Sequence, residues 1–318
     1  MATNYLSLLE YICKIKQRIK MIIPPYLKNG DTIAIVCTAR SFSTEEAQKA
    51  INLAHSWGLT VELGSTIDIN VNQLGGTDLQ RASDLQTMLD NPEIKAVWIA
   101  RGGYGTVRII DQIDFSTFLK NPKWIIGFSD ITVLHSHIHN LGVATLHAIM
   151  PFSVPKALEI AKETLFKALF NQEYQFNLPA NASNKTGEAN GELIGGNLSI
   201  IYSLLGSNSS IDTTNKILYL EDLDEYLYHI DRMFYNLKRN GYFNDLKGLI
   251  IGGMTDMHDN QIPFGFDVQQ IVLDITKEYD FPICFDFPAG HIKDNRALKL
   301  GCMVKLKVTE TQTTLTYL

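Results

Sequence analysis

One serine stands where this chain could do covalent chemistry. Ser129 sits in Trp124-Ile125-Ile126-Gly127-Phe128-Ser129-Asp130-Ile131-Thr132, an apolar run that stops at a glycine and passes into helix-forming residues. A second stretch has the same form: Ala96 to Ala100 runs into Arg101-Gly102-Gly103-Tyr104-Gly105. Both apolar runs read as buried parallel strands. Ligands of open parallel sheets bind outside the carboxyl ends of the strands, so both turns are expected to face one crevice. A serine held on a tight strand-to-helix turn projects its hydroxyl from the sheet edge, toward the unpaired N–H groups of a helix start. That geometry suits attack on a carbonyl, with the backbone N–H groups of Gly103 and Asp130 as the expected oxyanion donors. Glycines at 102, 103 and 105 let a ligand approach the main chain. From the residues alone other readings stay open. Ser129 is equally placed as an ordinary N-cap, and the glycine turn as a phosphate site or a plain turn. The turn is not a GxGxxG and carries no Walker lysine.

A serine nucleophile needs a base, and the base needs an orienting partner. The chain has eight histidines. His135, His137 and His139 follow Ser129 on one helix, and His135 and His139 have the i,i+4 spacing of a metal pair. No HExxH or third ligand accompanies them, which favours packed or surface histidine. His291 follows Ala289-Gly290 at a strand end; taken alone, a Gly-His in a loop reads as structural. Glu221-Asp222 closes the strand that begins at Lys216. Paired acids there are open to a metal site, a glycosidase-type acid pair or solvated charge. Arg101 is either a cation for a substrate carboxylate or half of a structural ion pair.

The chain resembles the LD-carboxypeptidase family of serine peptidases, which includes murein tetrapeptide carboxypeptidases and microcin C immunity peptidases. The matching blocks, in order, are Ala100 to Gly105, Gly127 to Thr132 with Leu134-His135, Gly195-Gly196-Asn197-Leu198, Leu220-Glu221-Asp222, and Gly290-His291. The resemblance runs from about Met21 to the C-terminus. The family more often has Tyr at the place of Phe128 and Pro at the place of Lys299, and neither change touches a catalytic group. The resemblance implies a triad of Ser129, Glu221 and His291, with Glu221 as the acid that holds the imidazole, and with Arg101, Gly102 and Tyr104 as substrate-binding candidates. It implies a flavodoxin-like, doubly wound parallel-sheet domain followed by a smaller mixed β/α domain, with the site between them. It implies removal of the terminal D-alanine from peptidoglycan stem tetrapeptides during cytoplasmic cell-wall recycling, without a cofactor, by a homodimer. Two alternatives accompany this: a microcin-immunity-like peptidase acting on aminoacyl-nucleotide conjugates, and a non-catalytic muropeptide-binding protein. A pure binder has no reason to retain a triad.

The elements that must position these residues follow from periodicity and capping. Strands are expected at Thr32–Thr38, Leu59–Leu63, Ala96–Ala100, the Ser129 run and Val143–Leu146. Ser43 with Glu46 and Thr77 with Gln80 form capping boxes for two helices. Such alternation implies a doubly wound sheet. After a helix over Ala157–Asn171, Leu178 to Glu188 has the Pro, Asn and Gly content of a linker. Beyond it, Gly195-Gly196-Asn197 is expected to open a helix, Pro282–Phe287 to form a strand, and Val304–Val308 with Thr313–Tyr317 to form a hairpin. The expected organisation is an N-terminal extension (1–20), an α/β domain (21–177), a linker (178–188) and a mixed β/α domain (189–318).

With 318 residues, 45% hydrophobic and 19% charged, the chain has the composition of a globular protein with ample core. A net charge of −6 gives no footprint for nucleic acid or an anionic membrane. Four scattered cysteines, Cys13, Cys37, Cys284 and Cys302, indicate neither a zinc site nor a disulfide framework, and a reducing compartment is the simpler expectation. Residues 1–20 lack the form of a signal peptide, since Glu10 and Lys14 break the apolar part.

Overall fold

The computed structural model describes residues 21–318; the N-terminal extension and Cys13 lie outside the described residues. The first half alternates strand and helix as its capping signals require. Strand β1 (Thr32–Val36) leads to α1 (Thr44–Ser56), which starts on the Ser43–Glu46 capping box. Strand β2 (Thr60–Leu63) leads to α2 (Asp78–Asp90), which starts on the Thr77–Gln80 box. Then come β3 (Ile94–Ile99), the short helix α3 (Ser116–Lys120), β4 (Trp124–Gly127), α4 (Thr132–Asn140), β5 (Thr145–His147) and α5 (Glu159–Leu169). The strands pair in the parallel order β2-β1-β3-β4-β5, which is the flavodoxin-like winding. One apolar face packs Ala47, Ala50 and Ala54 of α1 and Leu165 of α5; the other packs Leu85 and Met88 of α2 and Val133, Leu134 and Ile138 of α4. Helices on both faces explain why β3 and β4 are apolar without alternation.

A second sheet of seven strands is mixed. Its strands are β6 (Gln175–Pro179), β7 (Gly187–Asn197), β8 (Lys216–Leu223), β9 (Gly248–Thr255), β10 (Ile283–Cys284), β12 (Met303–Val308) and β13 (Gln312–Tyr317). Strands β7, β8, β9 and β10 run parallel; β12, β13 and β6 are antiparallel additions. Helices α6 (Leu198–Ser203), α7 (Leu227–Arg239) and α8 (Val268–Thr276) cover one face.

Several local readings need correction. The stretch 178–188 carries the end of β6 and the start of β7. Strand β6 is an edge strand ending in Pro179, a position where a sheet tolerates proline. Strand β7 extends through Gly195-Gly196-Asn197, and α6 begins only at Leu198. Asn197 caps that helix by accepting the Ile200 N–H. Tight 3-10 turns at Thr106–Arg108 and Ile110–Gln112 follow the first glycine turn in place of a helix. The expected strand at Pro282–Phe287 shortens to Ile283–Cys284. Strand β11 (Leu298–Leu300) pairs antiparallel with β5, so a segment late in the chain completes the first sheet. Among the described residues the cysteines are free and buried, and no helix is long and apolar enough to cross a membrane.

Candidate active site

Ser129 follows β4 by two residues, and its backbone has φ +64°, a left-handed conformation unusual for a non-glycine residue. The hydroxyl makes no capping bond. It donates to His291 Nε2 at 3.0 Å, which removes the N-cap reading. The glycine turn lies directly against it: a Cβ on Gly102 would stand 3.1 Å from Ser129 Cβ and 3.3 Å from Oγ. Gly103 N–H forms no hydrogen bond among the described residues, and Asp130 stands in the first turn of the 3-10 segment, where N–H groups lack an intrahelical acceptor. The Asp130 carboxylate is buried and accepts the Thr106 N–H at 2.9 Å, tying the serine turn to the glycine turn. Burial pushes its carboxyl pKa up.

Glu221 lies on β8 of the second sheet, and His291 in the loop between β10 and β11. His291 Nδ1–H donates to Glu221 Oε2 at 2.7 Å, and the His291 main-chain N–H donates to the same oxygen at 3.2 Å. Glu221 is fully buried, and the imidazole is 16% exposed. Strand alternation decides which of the two acids meets the histidine. Tyr219 and Glu221 share one face of β8, and Tyr219 reaches His147 of the first sheet at 3.3 Å. Asp222 points the other way, accepting from Asn197 Nδ2, Ser199 N–H and Leu223 N–H at 2.9–3.0 Å. The β8–β9 register shifts between Leu220 and Asp222, a bulge at the position of Glu221. Asp222 is pushed up to about 6, by burial first and then by the Glu221 charge. His291 is raised above the ordinary imidazole value. Its burial acts to lower it and is outweighed by the Glu221 charge, the Glu221 hydrogen bond and the Asp222 charge.

Supporting residues to which the sequence assigned no role hold this junction. Asn295 Oδ1 accepts the Gly290 N–H at 2.8 Å, bracing the turn before His291. Thr132 Oγ1 accepts the Asn197 N–H at 3.0 Å across the two sheets. Phe128 stacks edge-on to His291 at 4.8 Å, with His147 behind it at 5.8 Å. Asn295 and His147 stand outside any sequence block, while Phe128, Thr132 and Asn197 lie in the family blocks, which give them no role of their own. The other histidine expectations resolve individually. His135 is buried, with Nε2–H donating to Gly127 O and the Thr145 hydroxyl donating to Nδ1; burial lowers it to about 4. His139 engages Glu192 instead of pairing with His135. Among the described residues no cluster of three or more potential metal ligands forms. Arg101 makes no ion pair among the described residues and lies over the Phe152 ring at 4.1 Å, so the structural ion pair is absent. Tyr104 is half exposed at the turn.

A flavodoxin-like sheet and a mixed sheet that bring serine, histidine and glutamate into one hydrogen-bonded line at their junction define a two-part α/β peptidase architecture. The chain belongs to the LD-carboxypeptidase family: the family's N-terminal domain matches residues 33–148 and its C-terminal domain residues 190–306. It is 35% identical over 299 residues to a probable murein peptide carboxypeptidase of Bacillus subtilis, covering 90% of this chain and 92% of that one. It is 25% identical over 270 residues to the microcin C7 self-immunity protein of Escherichia coli, covering 73% of this chain and 76% of that one. Its fold is shared with the crystal structure of muramoyltetrapeptide carboxypeptidase from Oxalobacter formigenes, with a TM-score of 0.83 at 24% identity over 90% of this chain and 98% of that one.

Proposed function

We propose that this protein is a serine-type LD-carboxypeptidase that removes the terminal D-alanine from peptidoglycan stem tetrapeptides in cell-wall recycling. The observation that carries the reading is the line Ser129 Oγ–His291 Nε2–His291 Nδ1–Glu221 Oε2, at 3.0 and 2.7 Å. In this reading His291 takes the Ser129 proton as Oγ attacks the scissile carbonyl, and Glu221 stabilises the imidazolium that forms. The N–H groups of Gly103 and Asp130 receive the developing oxyanion. His291 then returns the proton to the leaving amine of D-alanine, and water attacks the acyl-serine with His291 again as base. Arg101, Gly102 and Tyr104 line the substrate side of the glycine turn. A homodimer acting in the cytoplasm belongs to the same proposal, on the strength of the family resemblance.

A second reading rests on the likeness to the microcin C7 self-immunity protein: cleavage of an aminoacyl-nucleotide conjugate by the same serine. The test is to incubate the protein separately with a synthetic stem tetrapeptide and with an aminoacyl sulfamoyl adenosine, assaying free D-alanine and free amino acid. Release of D-alanine with the conjugate left intact is expected. Turnover of the conjugate alone transfers the assignment to the second reading, and turnover of neither removes the peptidase proposal.

A further inference from the structure

Four arginines gather around the glycine turn, and they divide into two kinds. Arg81 and Arg108 are both tied to Asp78. Arg81 is also buried, donating to Gly105 O and Thr38 O from beneath the turn. Arg40 and Arg101 make no ion pair and no side-chain hydrogen bond among the described residues. Arg101 has its guanidinium laid on Phe152. Arg40 is exposed, follows β1 by four residues, and donates its main-chain N–H to Gly102 O at 3.5 Å. Its side chain runs along Gly103 so closely that a Cβ there would come within 2.7 Å of Arg40 Cδ and Nε. The next residue back, Gly102, is the one packed on Ser129. The Cγ–Nε stem of an unpaired arginine therefore lies against Gly103, the neighbour in the chain of the glycine that borders the nucleophile.

A peptidase that removes one C-terminal residue has its substrate carboxylate beside the reacting centre by covalent necessity. Three bonds separate the scissile carbon from the carboxylate carbon, a span of ~3–4 Å. An anion brought to a chain of net charge −6 needs a local cation, and a carboxylate fits the planar fork of arginine best. We propose that Arg40 is a specificity-determining residue of this site, its guanidinium binding the free carboxylate of the departing residue. This assignment rests on the peptidase reading above and goes beyond it: Arg40 would make the enzyme an exopeptidase. Arg101, stacked on Phe152, is the less available of the two cations.

The test uses a stem tetrapeptide ending in D-alanine and the same peptide as its C-terminal carboxamide. Wild type is expected to favour the acid, and Arg40→Ala to lower the acid-to-amide ratio of kcat/KM by ~10–100-fold, mostly through KM for the acid. Arg40→Lys should retain part of the preference, since it keeps the charge and loses the fork. Melting temperatures identify a folding failure, and Arg40→Gln then serves as the second variant. In parallel, Ser129→Ala and Ser129→Ala/Arg40→Ala are compared by calorimetric binding of both peptides. Weaker binding of the acid by the double variant supports the clamp. An unchanged ratio in a natively melting Arg40 variant, or equal acid binding by the two serine variants, overturns it. Failure of wild type to release D-alanine overturns the stem-tetrapeptide reading, while the binding arm still judges Arg40.

Discussion

The Glu221 carboxylate oxygen receives two N–H groups of one residue, the main chain and Nδ1 of His291. The imidazole is thereby fixed in orientation and tautomer, with Nε2 turned to Ser129. To act as the proposed general base His291 must be neutral, and its pKa is raised above the ordinary imidazole value. Activity should therefore fall as pH drops through that raised value, and the acidic limb of kcat/KM should lie above ~6.5. Replacing Glu221 by Gln removes the charge that favours the imidazolium, while burial, which disfavours it, remains. The limb should move to lower pH and turnover should fall ~10²–10⁴-fold. A pH profile of both forms decides this; a fully active Glu221→Gln with an unmoved limb would exclude Glu221 as the orienting acid. The three residues were unequally legible. The strand–glycine–serine pattern marked Ser129 as a candidate, with an ordinary N-cap equally open until the family blocks were matched. Choosing Glu221 over Asp222 required either the family resemblance or the facing of β8, and His291 carried no local signal beyond its glycine.

Gly290 shows why the elements around the site allow so little substitution. Its backbone has φ +111°, and a Cβ there would stand 2.7 Å from Glu221 Oε2. Glycine alone lets the loop bring His291 down on the buried carboxylate. Gly290→Ala should lower stability by ~1–3 kcal/mol through backbone strain. It should reduce activity more than that loss explains, because the clash falls on the histidine–glutamate contact. Thermal melts with kcat/KM at a temperature where the variant is folded check this; wild-type activity with only a lower Tm would limit Gly290 to a structural role. At this scale the sequence revealed what capping and apolar runs encode: both capping boxes and strands β1 to β4 lie where expected, to within one or two residues. It did not reveal β11, because Leu-Lys-Leu is too short to have a period. It did not reveal β6, whose alternation Gln-Phe-Asn-Leu-Pro buries only Phe176 fully. Both strands exist through partners more than a hundred residues away in the chain.

Across the whole molecule, the site exists only where the two sheets meet. The first supplies Ser129, the glycine turn, Thr132 and His147; the second supplies Glu221, Asn197 and Tyr219, and the loop from β10 to β11 supplies His291. Hydrogen bonds from Asn140 to Asn208 O and Ser210 O, and between His137 and Ser209, extend the junction away from the Ser129–His291–Glu221 line. Such long-range placement is what sequence patterns do not encode, since each partner looks ordinary in its own neighbourhood. The family blocks carried that information because they record residues that meet in space. The decisive measurement is D-alanine release from a stem tetrapeptide by wild type and by Ser129→Ala, with melting temperature and peptide binding followed alongside. A nucleophilic Ser129 predicts a loss of ~10⁴-fold or more in rate with folding and binding retained. Near-wild-type turnover by Ser129→Ala would contradict it.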